Sequence, residues 1–235
     1  MAALRKNKHP GPAPKCNAGF TLTEIAIVLC IIAVIIGAIM AAASTVYYRL
    51  RLNRGMDELG QIVNNMHSLY QAQNISYAAL NPPATVNFTT YTSTLIQEGI
   101  FPSDMLSPVQ TPGTPPCAGT VASNPWSSAT GTCGGSTTGT VLLSLVGSSG
   151  KPVQFVVRFT GVPLSSCADL IIRTSQPGVD STSGLTLPGS NGLSQICIGS
   201  TCYSGANLPL SGANANTMCS GAGPFSVDWY YNLGN

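Results

Sequence analysis

The sequence predicts an α+β fold: a long N-terminal helix, its first half of membrane-spanning character, packed on a C-terminal antiparallel sheet head held by disulfides. Three observations predict it. From Ile25 to Ala43 no residue is charged, which at about 1.5 Å per residue makes a helix of roughly 28 Å, close to the hydrocarbon thickness of a bilayer. Apolar residues then recur at helical spacing, at Leu52, Met56, Leu59, Val63, Met66 and Tyr70, a stripe that seeks a partner. From Asn81 onward the composition turns to Pro, Gly, Ser and Thr, with short apolar runs between turn signals and six cysteines spread among them.

Arg5, Lys6, Lys8 and Lys15 all precede the apolar run and hold the N-terminus in the cytoplasm, so the chain beyond the run is exported. Arg49, Arg51 and Arg54 on the far side weaken that asymmetry. Removing the four leader cations from ten Lys and Arg leaves six, against eight Asp and Glu, a net of −2. The basic character belongs to the leader, and charge alone does not make this a nucleic-acid binder.

Glu24 stands at the entrance of the apolar run. A carboxylate at the centre of a spanning segment costs about 2.5 to 3.5 kcal/mol, less near an end, and such an acid usually has a partner. A cut between Gly19 and Phe20 would supply one, because it creates an α-amino group, of ordinary pKa about 7.7 to 8.0, one helical turn before Glu24. A competing reading takes Ala41 to Ala43 as an A-x-A site cut before Ser44, which gives an ordinary secreted protein. It leaves Glu24 and the Gly-Phe junction unexplained. A lipoprotein site at Cys30 fails on Val28 and Leu29, which are not small.

The helix continues past Ala43 to about Tyr77, roughly 87 Å at about 1.5 Å per residue, with Pro82 and Pro83 ending the pattern and Gly37 and Gly55 as bends. Asp57 and Glu58, beside Arg51 and Arg54, read as a solvated face, with contact between neighbouring subunits as the alternative, and His67 as a packed or surface residue. "TYTSTLIQEGIFPSDM" is a short helix ending near Glu98, with Gly99 as a left-handed cap. "PVQTPGTPPCAGTVASNPW" is a proline-rich loop. "TVLLSLVG" and "PVQFVVRF" form a hairpin around "SSGK", "VPLSSCADLIIRT" a helix holding Cys167, "LSQICIGSTCYSG" a strand with a turn, and "FSVDWYYN" a final strand. The domain limits are 1–19 leader, 20–43 hydrophobic helix, 44–80 amphipathic continuation and 81–235 disulfide-rich head.

At "GFTLTEIAIVLCIIAVIIGAI" the chain resembles the class III signal of type IV prepilins: Gly19 before the cut, Phe20 as the new terminus, Glu24 as the acid, then a long apolar helix. The resemblance covers about 60 residues and implies a pilin fold. It further implies cleavage by prepilin peptidase, N-methylation of Phe20, and a Glu24 that guides each subunit into a growing filament. The 19-residue leader, the lack of proline in the apolar helix and the cysteine-rich head resemble the type IVb branch, whereas Phe20 is the type IVa habit.

Cys117, Cys133, Cys167, Cys197, Cys202 and Cys219 read as a disulfide framework formed in an oxidising compartment. Six cysteines allow 15 pairings. The pairs expected are Cys117 with Cys133, Cys197 with Cys202, and Cys167 with Cys219; the last resembles the bridge that bounds the variable C-terminal region of pilins. No enzyme, metal or cofactor is expected. His67 is the one histidine after Gly19, there is no G-x-S-x-G or H-E-x-x-H, and "TGTCGGSTTGT" lacks the ending of a phosphate loop. The resemblance implies a subunit held in the inner membrane, then polymerised with other pilin subunits into a surface pilus by an assembly platform and ATPase. Adhesion, aggregation, motility and conjugation support all fit such a fibre. The alternatives are a type II secretion pseudopilin, against which the large head and missing calcium loop argue, and a minor tip pilin.

Overall fold

The computed structural model describes residues 21–72, 84–108, 120–127, 139–148, 151–177 and 192–233. Gly19, Phe20, the leader, the expected end of the first helix at Tyr77, and the Cys117 and Cys133 pair lie outside the described residues. The chain divides into two compact units, Met1–Val46 and Tyr47–Asn235.

Helix α1, Leu22–Ala72, runs unbroken through both glycines expected to bend it. Gly55 has a different use: a Cβ there would come within 2.9 Å of the Trp126 ring. It is a point of close approach.

In the second unit the stripe on α1 is buried. Leu52, Leu59, Val63 and Met66 are at most 1% exposed, and Ile62, which the spacing passed over, is fully buried beside them. They share one core with the inner face of a five-stranded antiparallel sheet ordered β3-β4-β7-β5-β6. Its strands are β3 (Val141–Ser148), β4 (Lys151–Val162), β5 (Leu193–Ile198), β6 (Thr201–Ser204) and β7 (Phe225–Asn232). Alternation puts Phe155, Val157 and Phe159 of β4 and Val227, Trp229 and Tyr231 of β7 on that face, register partners across the two central strands. His67 of α1 meets the edge of Phe155 at 5.7 Å, and Phe155 stacks on Tyr231 at 5.1 Å. On the opposite face Arg158 and Asp228, also register partners, make a two-pronged ion pair at 2.6 Å, and Arg158 lies over Phe88 at 4.2 Å.

The hairpin expected around "SSGK" is present as β3 and β4, with β4 extending to Val162. Helix α2, Phe88–Gln97, ends in a Schellman motif: Ile100 N–H bonds the Leu95 carbonyl and Gly99, at φ +76°, bonds that of Ile96. This helix covers the free edge of β3, where Leu143 N–H donates to Thr92 Oγ1 at 3.0 Å and Asn87 N–H to Ser144 Oγ at 2.8 Å. Helix α3, Leu164–Ser175, carries Cys167 as expected.

Three features go beyond the sequence reading. The proline-rich loop begins and ends in short strands, β1 (Leu106–Pro108) and β2 (Thr120–Ala122), which pair with each other. A further helix, α4 (Gly212–Met218), is capped by Ser211, whose side chain accepts from Asn214 N–H. The last strand, β7, is inserted between β4 and β5. Two disulfides brace these elements: Cys167–Cys219 ties α3 to the end of α4, and Cys197–Cys202 crosses the β5–β6 hairpin at a register position.

Candidate assembly interface

In the first unit every described residue from Thr21 to Val46 is exposed, with Leu22 at 84%, Val34 at 73% and Met40 at 68%. A helix apolar around its whole circumference does not suit water; it belongs in lipid or among other apolar helices. By length and composition α1 is able to cross a membrane. Its few polar groups in the run bond back to the helix, Ser44 Oγ to the Ala41 carbonyl at 2.8 Å and Thr45 Oγ1 to the same oxygen at 3.4 Å. That leaves few unsatisfied groups for an apolar phase to penalise.

Glu24 sits in the first turn of α1, and the geometry explains how a carboxylate is accommodated there. Thr21 N–H and Thr21 Oγ1 both donate to Glu24 Oε2, at 3.1 and 3.0 Å, while Glu24 N–H donates to Thr21 Oγ1 at 3.3 Å. This is a capping box, in which the threonine and the acid satisfy each other's backbone donors. The acid also faces the positive end of the helix dipole. The sequence signal was Thr21-Leu-Thr-Glu24, and the reading that partnered Glu24 with the Phe20 amine missed it.

Just past the apolar run, in the second unit, Arg51 donates to Tyr47 Oη at 2.7 Å and its guanidinium lies 4.4 Å over the same ring. Tyr48 donates to Asp169 Oδ2 and to the Ser165 carbonyl, each at 2.8 Å, fastening α1 to α3. Burial, reinforced by the bond to Asp169 and its charge, pushes the Tyr48 phenol up to about 12.

Glu58 corrects the sequence reading. It is 3% exposed, not part of a solvated face. Arg54 Nε bonds its Oε1 at 2.7 Å and Arg54 also reaches Asp104 at 3.4 Å, yet Glu58 Oε2 has no hydrogen-bond partner among the described residues. Burial raises the Glu58 carboxyl to about 7 against the opposing pull of Arg54, with small upward pushes from Asp104 and Asp57. Among the described residues no three of His, Cys, Asp and Glu stand together as metal ligands would.

Comparison with known proteins gives little. No family model matches the chain, and no curated protein matches it. Among solved structures the chain is similar to an NMR structure of a type IVb pilin, PilS, from Salmonella typhi, at 19% identity over 74% of this chain and 96% of that one, with a TM-score of 0.37. A likeness that slight carries no argument, and the weight falls on the chain's own residues from Gly19 to Arg54.

Proposed function

We propose that this chain is the precursor of a structural subunit of an extracellular type IV pilus. The leader, 1–19, is removed by prepilin peptidase between Gly19 and Phe20, and the new Phe20 amine is methylated. The apolar helix, 20–43, anchors the subunit in the inner membrane. An ATPase and a platform protein then lift it into a helical filament, where 44–80 and the head, 81–235, form the outer layer. Glu24 and the Phe20 amine of a neighbour set the axial step. The observation that supports this most is the first unit itself: a helix of membrane length, apolar and exposed all round, with one carboxylate in its first turn. A packed soluble domain has no use for such a surface, whereas lipid and a bundle of like helices both cover it.

The test is mass spectrometry of the N-terminus of protein sheared from the cell surface. The expected terminus is methylated Phe20. A terminus at Ser44 would overturn the proposal in favour of an ordinary secreted protein.

A further inference from the structure

The arginines just beyond the apolar run are on the wrong side for the usual topology signal, which concentrates Lys and Arg in the cytoplasm. Each has a distinct situation. Arg54 is engaged by Glu58 and Asp104. Arg51 gives one of its five N–H groups to Tyr47 and keeps the others. Arg49 is exposed and has no hydrogen-bond or ion-pair partner among the described residues.

Residues 47 to 51 occupy about 6 Å of helix axis, and at about 100° per residue Arg49 and Arg51 point to nearly opposite sides, flanking Tyr48, which is tied to α3. A single partner helix would meet one of the two arginines; a surface that extends around the rest of the helix at this level meets both. Their place in the sequence fits such a surface: Arg49 follows Ala43, the last residue of the apolar run, by six positions, and the run's roughly 28 Å as a helix is close to the hydrocarbon thickness of a bilayer. Tyr47, 58% exposed, adds an amphipathic ring at the same depth.

We infer that Tyr47, Arg49 and Arg51 form a belt that binds the phosphodiester of anionic phospholipids in the outer leaflet while the subunit is stored in the membrane. The inference rests on the membrane-stored reading above. Guanidinium forks match phosphate oxygens in pairs, and Tyr47 holds the Arg51 fork in place before lipid arrives. Extraction into a filament requires these contacts to break, so lipid charge opposes release from the membrane.

The test uses the full chain reconstituted into phosphatidylcholine vesicles, with spin-labelled phosphatidylglycerol or spin-labelled phosphatidylcholine as the probe. Electron paramagnetic resonance reads the fraction of label immobilised by protein, and alkaline carbonate extraction reads membrane integration. The expected result is a preference for phosphatidylglycerol that falls about fivefold or more in the R49Q/R51Q double variant at low salt, and that R49K/R51K restores only in part, because an ammonium keeps the charge without the fork. No preference in the unaltered chain would overturn the inference. So would a preference that survives R49Q/R51Q, since the four leader cations would then carry it. A chain that carbonate extracts completely would instead overturn the membrane-stored reading, whatever the lipid.

Discussion

The two halves of α1 have the same backbone and nearly opposite surfaces. From Leu22 to Val46 apolar side chains cover every side and all are exposed; from Leu52 to Met66 they gather on one side and are buried within their own unit. Total hydrophobicity does not separate folding from assembly; its distribution around the helix does. A stripe is satisfied by one sheet in the same chain. A full cylinder needs apolar neighbours on all sides, and lipid or other apolar helices supply them.

If that distinction is right, core and cylinder respond oppositely to mutation. Leu59→Ala empties a fully buried position and should cost about 2 to 5 kcal/mol. In the detergent-solubilised full chain this is a clear fall in the melting temperature read by Trp126 and Trp229 fluorescence, with membrane integration unchanged. Val34→Asp should do the reverse. A carboxylate mid-segment costs roughly 2.5 to 3.5 kcal/mol of insertion, so the carbonate-resistant fraction drops steeply while the melt of the second unit stays where it was. If Val34→Asp also lowers that melt, the two halves are not independent and the comparison fails.

Glu58 sharpens the same contrast, because it is an acid on the striped half that the fold has buried. Its carboxyl is raised from the ordinary range to about 7, so between pH 4.5 and 7 the folded state holds a proton that the unfolded chain has released. Stability is therefore greatest below that window and is lost as pH rises through it. Glu58→Gln mimics the protonated acid. It should match the parent near pH 4.5 and exceed it by roughly 2 to 3 kcal/mol at pH 8, measured by denaturant titration at both pH values. A variant less stable than the parent at pH 8 would mean that the Arg54 ion pair outweighs burial.

The range of each interaction decides whether sequence could reveal it. The hairpin of β3 and β4, the Gly99 cap and the helical course of α1 are set by residues close in the chain, and periodicity and turn chemistry exposed them. The insertion of β7 between β4 and β5 is a pairing across distant segments, with no local trace. Helix α4 reads GANANTM, too short and too poor in large apolar residues to show a stripe. Glu58 was misread for a related reason. Gly55, Glu58 and Ile62 form a second row beside the expected stripe; above Gly55 lies Trp126, and Arg54 beside Glu58 reaches Asp104, both from loops far along the chain. The Thr21 capping box is written locally as Thr-Leu-Thr-Glu, but pairing Glu24 with the Phe20 amine left it out; the junction of Gly19 and Phe20 itself lies outside the described residues.

The smallest effect separates two jobs that Glu24 could hold on the cylindrical half. Its Oε2 accepts from Thr21 N–H and Thr21 Oγ1, so the acid has a local role that needs no second subunit. Thr21→Ala removes the hydroxyl, leaves the charge, and should cost about 1 kcal/mol of helix stability at the N-terminus. Faster hydrogen exchange confined to the first turn of α1 would register that loss. If charge sets the step between subunits, Thr21→Ala cells carry nearly normal numbers of filaments, while Glu24→Gln cells, which keep a hydrogen-bonding side chain without the charge, carry few. Equal loss in both variants would mean that the cap is what assembly requires. The carboxylate would then serve helix geometry, and the register would have to be set by the shapes of the apolar side chains alone.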